Sequence, residues 1–299
     1  MVKLRVCVTG GAGLIGQPIV RRLVAAGHDV SIMDIKQCSI PGADSIICDL
    51  TSYEQVESTV RNFDVVVHLA GSVLDSTRKN PPVAINVSLV GTANLLQSCI
   101  KNKIHKVVYA SSASIYNGIS ENAIVDESVI SHPFHTELLG TVKMMGERLI
   151  YEYAKNWNLQ YVVLRIGPVF DASERCTSII CDFIKAGLRK RTFSIWGSGQ
   201  RLLQPTDVED VAEGCLLSIN SVNKIYNVIS PDRYSILQIA QIMKEKFGFD
   251  YSLDPDKPDG QTYPYISSKK ISEDLKWRHT PLVLALERIV TNYKSILAG

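Results

Sequence analysis

The sequence predicts an α/β protein with a doubly wound parallel sheet, followed by a smaller C-terminal lobe. Three observations carry that reading. Short β-rich runs alternate with helical patterns through the first half of the chain. Runs such as Val65-Val66-Val67 are apolar without interruption, as strands covered by helices on both faces must be. A glycine-rich turn separates the first strand pattern from the first helix pattern, the order of a β-α-β unit.

Taken in order, residues 2–8 read as a strand, 15–26 as a helix, 29–33 as a strand, 45–48 as a short strand and 53–60 as a helix. Residues 65–69 follow as a strand, 83–102 as a long helix, 106–110 as a strand, 136–156 as a second long helix and 161–166 as a strand. After about Phe170 the texture changes. Residues 179–188 read as a helix and 193–196 as a short strand before the turn Gly197-Ser198-Gly199-Gln200. A strand at 225–229 and a helix at 235–247 precede a loop rich in Pro, Asp and Gly at 254–264. Residues 1–170 are thus expected to form one domain and 171–299 a smaller lobe, with the strand near 225–229 returning to the main sheet.

Composition excludes other classes. The chain has 299 residues, 45% hydrophobic and 21% charged, with 32 basic against 30 acidic side chains. Such a chain has enough apolar surface to fold, and a net charge of +2 gives no general attraction to nucleic acid or membrane. The N-terminus passes from a few basic residues straight into an alternating strand pattern, unlike a signal peptide, and Arg165 and Asp182 interrupt the apolar runs that contain them. A soluble, cytoplasmic protein is expected. Seven scattered cysteines, with no Cys-x-x-Cys pair, read as reduced thiols, several of them small core residues, and no metal site is expected.

The turn Thr9-Gly10-Gly11-Ala12-Gly13-Leu14-Ile15-Gly16 has the Gly-x-x-Gly-x-x-Gly spacing. Side chains there would hold the backbone N–H groups and the helix N-terminus away from a pyrophosphate. Asp34 ends the second strand, where a carboxylate can accept from both adenosine ribose hydroxyls and would repel a 2′-phosphate. The expected cofactor is therefore NAD.

At this point the chain resembles the extended short-chain dehydrogenase/reductase family, a Rossmann-fold family, and within it the NAD-dependent nucleotide-sugar epimerases and dehydratases. Cys48-Asp49-Leu50 resembles the segment that sets Asp49 on the adenine amino group and Leu50 beside the ring. His68-Leu69-Ala70-Gly71 resembles the strand end along the cofactor, and Asn86-Val87-x-x-x-Gly91-Thr92-x-Asn94-Leu95-Leu96 the long helix after it. Ser111-Ser112-Ala113-Ser114-Ile115-Tyr116 resembles the serine strand, with Ser112 at the catalytic position. Leu164-Arg165-x-Gly167-Pro168-Val169-Phe170 is similar to the loop at the nicotinamide, and Ile195-Trp196-Gly197-Ser198-Gly199, Val208-Glu209-Asp210-Val211-Ala212 and Ile225-Tyr226-Asn227-Val228 to the second-lobe signatures. The resemblance implies cofactor contacts from Gly10, Gly13, Leu14, Ile15, Gly16, Asp34, Ile35, Lys36, Asp49, Leu50, Leu69, Ala70, Gly71, Asn86, Ser111, Lys143, Gly167 and Val169. It also implies substrate contacts from Ser112 and Ser114, a nucleotide-diphosphate sugar as substrate, and a homodimer built on the two long helices. Leu149, Ile150, Tyr153 and Trp157 form an apolar stripe suited to that interface or to packing on the sheet.

One position departs from the family. Where it keeps Tyr-x-x-x-Lys, this chain has Leu139-Gly140-Thr141-Val142-Lys143. The family tyrosine, a phenol that ordinarily titrates near pH ~10, is pushed down by the lysine so that its phenolate takes a proton from a sugar hydroxyl. Leucine cannot, and loss of a positioned base costs roughly 10² to 10⁴ in rate. His135 is a candidate substitute if the first turn of the helix reaches back to it, with Glu137 nearby; a loop or capping histidine is the plainer reading. His132-x-x-His135 lacks a third metal ligand, and the tyrosine that the family keeps at Tyr116 is not its base.

Two further departures narrow the chemistry. Ala113-Ser114 stands where dehydratases carry Asp-Glu, and Ser114 where certain epimerases carry an acid/base cysteine. The arginine expected to clamp the diphosphate falls at Leu203, with Arg201 two residues earlier as either a substitute or a surface charge. Three functions remain open. The first is an epimerase-like enzyme that transiently oxidises a sugar hydroxyl, with Ser112 on the reacting oxygen and Lys143 on the ribose. The others are a binding protein without turnover and a reductase of a non-sugar carbonyl.

Overall fold

The computed structural model describes residues 2–71, 79–129, 137–171, 173 and 175–298, apart from the side chains of 295–298. Its central sheet is built from β1 (Arg5–Thr9), β2 (Asp29–Asp34), β3 (Ala43–Ile47), β4 (Val65–His68), β5 (Lys106–Ser112), β7 (Gln160–Ile166) and β12 (Lys224–Val228). These seven strands are parallel and stand in the order β12-β7-β5-β4-β1-β2-β3. Val6 of β1 pairs with Val30 of β2 and Val65 of β4, so the chain reverses its direction of growth across the sheet between β1 and β4. Loops at the carboxyl ends of strands diverge at such a point and leave a crevice for a ligand.

Alternation along β1 shows how the layers form. Val6 and Val8 face α1 (Gly16–Ala25) and α6 (Val208–Ser218) in one core, while Cys7 joins the core under α2 (Tyr53–Thr59), α3 (Pro81–Lys101) and α4 (Leu138–Trp157). Helix α3 is long and apolar enough by composition to cross a membrane. Here its inner face, with Leu95, Leu96 and Cys99, is buried on the sheet. A π turn at Asn86–Val90 interrupts it, where the sequence pattern predicts one regular helix.

The remaining elements build a third core from Phe170, α5 (Ile179–Leu188), α7 (Ile236–Phe247) and α9 (Leu282–Ala298). Its helices carry the expected caps. Ser178 accepts from the Cys181 N–H, and Ser235 and Gln238 form a capping box. Helix α6 and strand β12 lie beyond residue 170 yet pack in the core of the main sheet, with Trp277 after α8 (Lys269–Leu275). Short pairs join the rest: β6 (Ile124–Val125) with β15 (Tyr265–Ile266), β8 (Val169–Phe170) with β11 (Thr206–Asp207), β9 (Phe193–Trp196) with β14 (Tyr251–Asp254), and β10 (Leu202–Leu203) with β13 (Tyr234–Ser235).

Candidate active site

The glycine turn closes tightly on the neighbouring strand end. Gly10 has φ +71°, and a Cβ there would lie 2.7 Å from the Ala70 backbone nitrogen. A Cβ on Gly16 would lie 2.6 Å from the Gly11 Cα. The Ala12 N–H donates to Asp34 Oδ2 and the Lys36 N–H to Asp34 Oδ1, both at 3.1 Å. A carboxylate has about four acceptor sites, so Asp34 is fixed in place with capacity left for hydroxyls. Ile35 and Lys36 extend exposed from this edge. The shape and donor set suit a dinucleotide: a bare N–H turn for phosphates, then a carboxylate one strand away for a ribose.

Other expected cofactor residues also stand at strand ends. Asp49 accepts from the Thr51 N–H and hydroxyl, and Leu50 is buried, its carbonyl accepting from Asn94 of α3. The Leu69 N–H donates to the Thr9 carbonyl, and the Ala70 N–H to the Thr9 hydroxyl at 3.3 Å. Asn86 is exposed on the π turn of α3 and is not among the residues that line the main cavity. Behind the strand ends, His68 is fully buried between the hydroxyls of Thr9 and Thr92, and burial pushes its pKa down to about 3.

Lys143 reaches the same region from α4. It is 8% exposed, its Nζ donates to the Ala110 carbonyl at 2.6 Å, and it lies 3.5 Å from where a Cβ on Gly71 would sit. Burial brings its pKa down to about 8, against the opposing charge of Glu147. Ser111 points elsewhere than expected: its hydroxyl donates to Glu147, which holds Arg165 through two bonds of 3.1 and 2.9 Å. Arg165 also donates to the Tyr116 hydroxyl, which donates to Asn227. Burial in that network pushes Tyr116 up to about 12, which removes it as a base.

Ser112 ends β5 and opens into a cavity of about 410 Å³. Its Oγ accepts from the Ser114 N–H at 3.1 Å and the Ser114 hydroxyl at 2.9 Å. Glu137 and Leu139, at the start of α4, line the same cavity, as do Leu14, Gly167 and Val169. Cys176 lines it too, its thiol held below the usual range chiefly by the neighbouring Cys181 thiol.

Arg201 and Arg233 also line this space. The Arg201 Nε is buried with no hydrogen-bond partner among the described residues, while the half-buried residue also lines a second cavity beside Asp259 and Gly260. Arg233 belongs to no sequence motif; only the pairing of β10 with β13 brings it beside Gln204. Leu203 is buried against the cavity, without a charge to offer. His132 and His135 lie outside the described residues.

Comparison with known proteins agrees with this geometry. The NAD dependent epimerase/dehydratase family model matches residues 6–229. A Methanocaldococcus jannaschii protein provisionally named UDP-glucose 4-epimerase is 29% identical, over 97% of this chain and 98% of its own. The Thermus thermophilus UDP-glucose 4-epimerase, solved in complex with NAD, is 25% identical with a TM-score of 0.87, covering 97% of this chain and 99% of its own. The Thermotoga maritima UDP-glucose 4-epimerase, solved with UDP-glucose, has a TM-score of 0.89 at 22% identity over 98% and 99%. With the cradle, the serine strand and the family match in agreement, this chain belongs to the NAD-dependent epimerase/dehydratase family and is an NAD-dependent enzyme.

Proposed function

We propose that the chain epimerises a nucleotide-diphosphate sugar by transient oxidation of one of its hydroxyls, at an active site where Leu139 replaces the family tyrosine. One observation carries the reading. The cavity lined by Ser112 beside the dinucleotide cradle is also lined by two arginines, Arg201 and Arg233. A diphosphate satisfies such donors, and the names of the relatives above point to UDP-sugars.

When bound, NAD supplies the hydride acceptor that permits oxidation at a sugar carbon and reduction from its other face. The chain's own residues do the rest. Both Ser114 donors point at the Ser112 oxygen, so Ser112 offers its own proton to the reacting substrate oxygen and steadies the ketone. Lys143 spends one donor on the Ala110 carbonyl and keeps others for ribose hydroxyls. Two copies of the chain pair through α3 and α4.

The test is turnover of UDP-, GDP- and dTDP-sugars by the holoprotein, with products identified. Epimerised product, lost by roughly 10² to 10³-fold in Ser112→Ala, is expected. Tight NAD binding without turnover of any sugar defeats the proposal and leaves a binding protein, a reading that Leu139 on the cavity wall favours. Reduction of a non-sugar carbonyl alone would establish the third function.

A further inference from the structure

We infer that Glu147 is a positioning residue of this site: its carboxylate ties the end of β5, which carries Ser112, to Arg165 of β7, and presents the negative charge that faces Lys143. The Ser112 half of the inference rests on the epimerase reading above, and the Lys143 half on dinucleotide binding alone. Val107 and Tyr109 of β5 turn their side chains to the core under α4, so by alternation Ser111 faces that helix too. Gly146 has no Cβ to meet the Tyr109 hydroxyl, which lets α4 lie close on the strand. There the Ser111 hydroxyl donates to Glu147, and Arg165 donates to the same carboxylate from Nε at 3.1 Å and Nη2 at 2.9 Å. Ser111 is flanked by Ala110, whose carbonyl accepts from Lys143 Nζ at 2.6 Å, and by Ser112 on the cavity wall. One carboxylate therefore holds both groups in register.

Fold stability alone does not call for these charges. Glu147 and Arg165 are 11% and 7% exposed, and a buried ion pair is commonly replaced by apolar residues of similar size at little cost to stability. What apolar residues cannot supply is an acceptor for Ser111 and a charge opposite Lys143. Lys143 stands one helical turn before Glu147 on the same face of α4. The other titratable groups around its Nζ are Tyr109 of β5, with the ring centroid 5.1 Å away, and His68 of β4, both held neutral by burial. Burial drives the lysine toward its neutral form, and the Glu147 charge works against that. As an ammonium the Nζ has three donors, one of them on Ala110, and it keeps two for ribose hydroxyls only while charged.

The test compares Glu147→Gln, Ser111→Ala and the double variant Glu147→Met with Arg165→Met against the parent. The double variant removes the pair without leaving a buried charge unpaired, which covers the case in which Glu147→Gln does not fold. NAD dissociation constants are titrated from pH about 6 to about 10. In the parent, affinity should fall off above pH about 8, as Lys143 loses its proton. The fall should begin about one pH unit lower in Glu147→Gln and measurably lower in the double variant. Ser111→Ala leaves the charge in place and should bend where the parent does. On the sugar found in the panel, with NAD saturating, all three should lower kcat by about 10- to 100-fold, the scale of a misplaced reacting group, with KM within about threefold.

No bend in the parent, or an unmoved bend in the Glu147 variants, overturns the Lys143 half. A kcat within about threefold of the parent in the double variant overturns the Ser112 half and leaves the pair a structural one. Failure of the functional reading looks different: a parent that yields no epimer takes the Ser112 half with it, while the dinucleotide titration still decides the Lys143 half.

Discussion

At the scale of single residues, the site divides into positions that local spacing reveals and positions that only folding brings together. Gly10, Asp34, Ser112 and Lys143 each follow a strand or fill a fixed place on a helix, so their roles are visible in order and spacing. Arg233 has no such frame: it meets Arg201 in one cavity because β13 pairs antiparallel with β10, a long-range event that spacing does not encode. The pair also separates binding from chemistry. If the two guanidiniums hold the diphosphate, Arg201→Ala or Arg233→Ala should raise KM for the nucleotide sugar by about 10- to 100-fold, the range for a lost charge-assisted hydrogen bond, with kcat within about threefold. Steady-state kinetics on the substrate found in the panel check this. A fall in kcat at constant KM would move the arginines from the diphosphate to the reacting carbon.

At the scale of elements, the strands of the main sheet are legible in the sequence because both their faces are buried, which leaves an unbroken apolar run. Helix α6 leaves no comparable trace. Val208, Asp210, Val211, Ala212, Gly214, Cys215 and Ser218 are all buried, so no single apolar stripe shows, and its buried Asp210 reads as a surface residue until it is seen to hold the Thr280 N–H and hydroxyl. Strand β4 carries a buried group with a consequence for stability. Neutral His68 bridges Thr9 of β1 to Thr92 of α3, tying the floor of the cofactor crevice to a helix above it. Its folded pKa, about 3, is below the ordinary value of 6.5. Between those values the unfolded chain binds a proton that the folded chain refuses, so stability falls as pH drops from about 6.5 toward 3. By pH about 5 the loss from this group is about 2 kcal/mol. Denaturant unfolding at pH about 7.5 and about 5 should show a pH-dependent loss smaller by that amount in His68→Gln than in the parent, although the variant starts out less stable. An equal loss in both proteins would mean that His68 is protonated in the fold.

At the scale of the whole molecule, the apolar residues left outside the cores are unevenly placed. Met145, Leu149, Tyr153 and Trp157 recur every four residues along α4; Met145 and Trp157 are 46% and 50% exposed, while Leu149 and Tyr153 lean on the core. On the neighbouring α3, Val83 and Val90 recur at seven and are 54% and 44% exposed, and Tyr153 donates to Gln97 across the two helices. Single exposed apolar side chains are ordinary, but two adjoining helical rows make a patch that water covers at a cost. A twofold axis through such a patch buries it against its own copy, since an isologous interface needs one self-complementary surface. The homodimer proposed above therefore predicts a mass of twice 33.1 kDa by light scattering. A lysine at Val90 or Met145 puts a charge where the rows would meet, yet both positions are exposed and neither lines the main cavity. Val90→Lys and Met145→Lys should give monomers at micromolar concentration with unchanged helix content. A parent protein that scatters as a monomer, or variants that stay dimeric, would place the contact on another face.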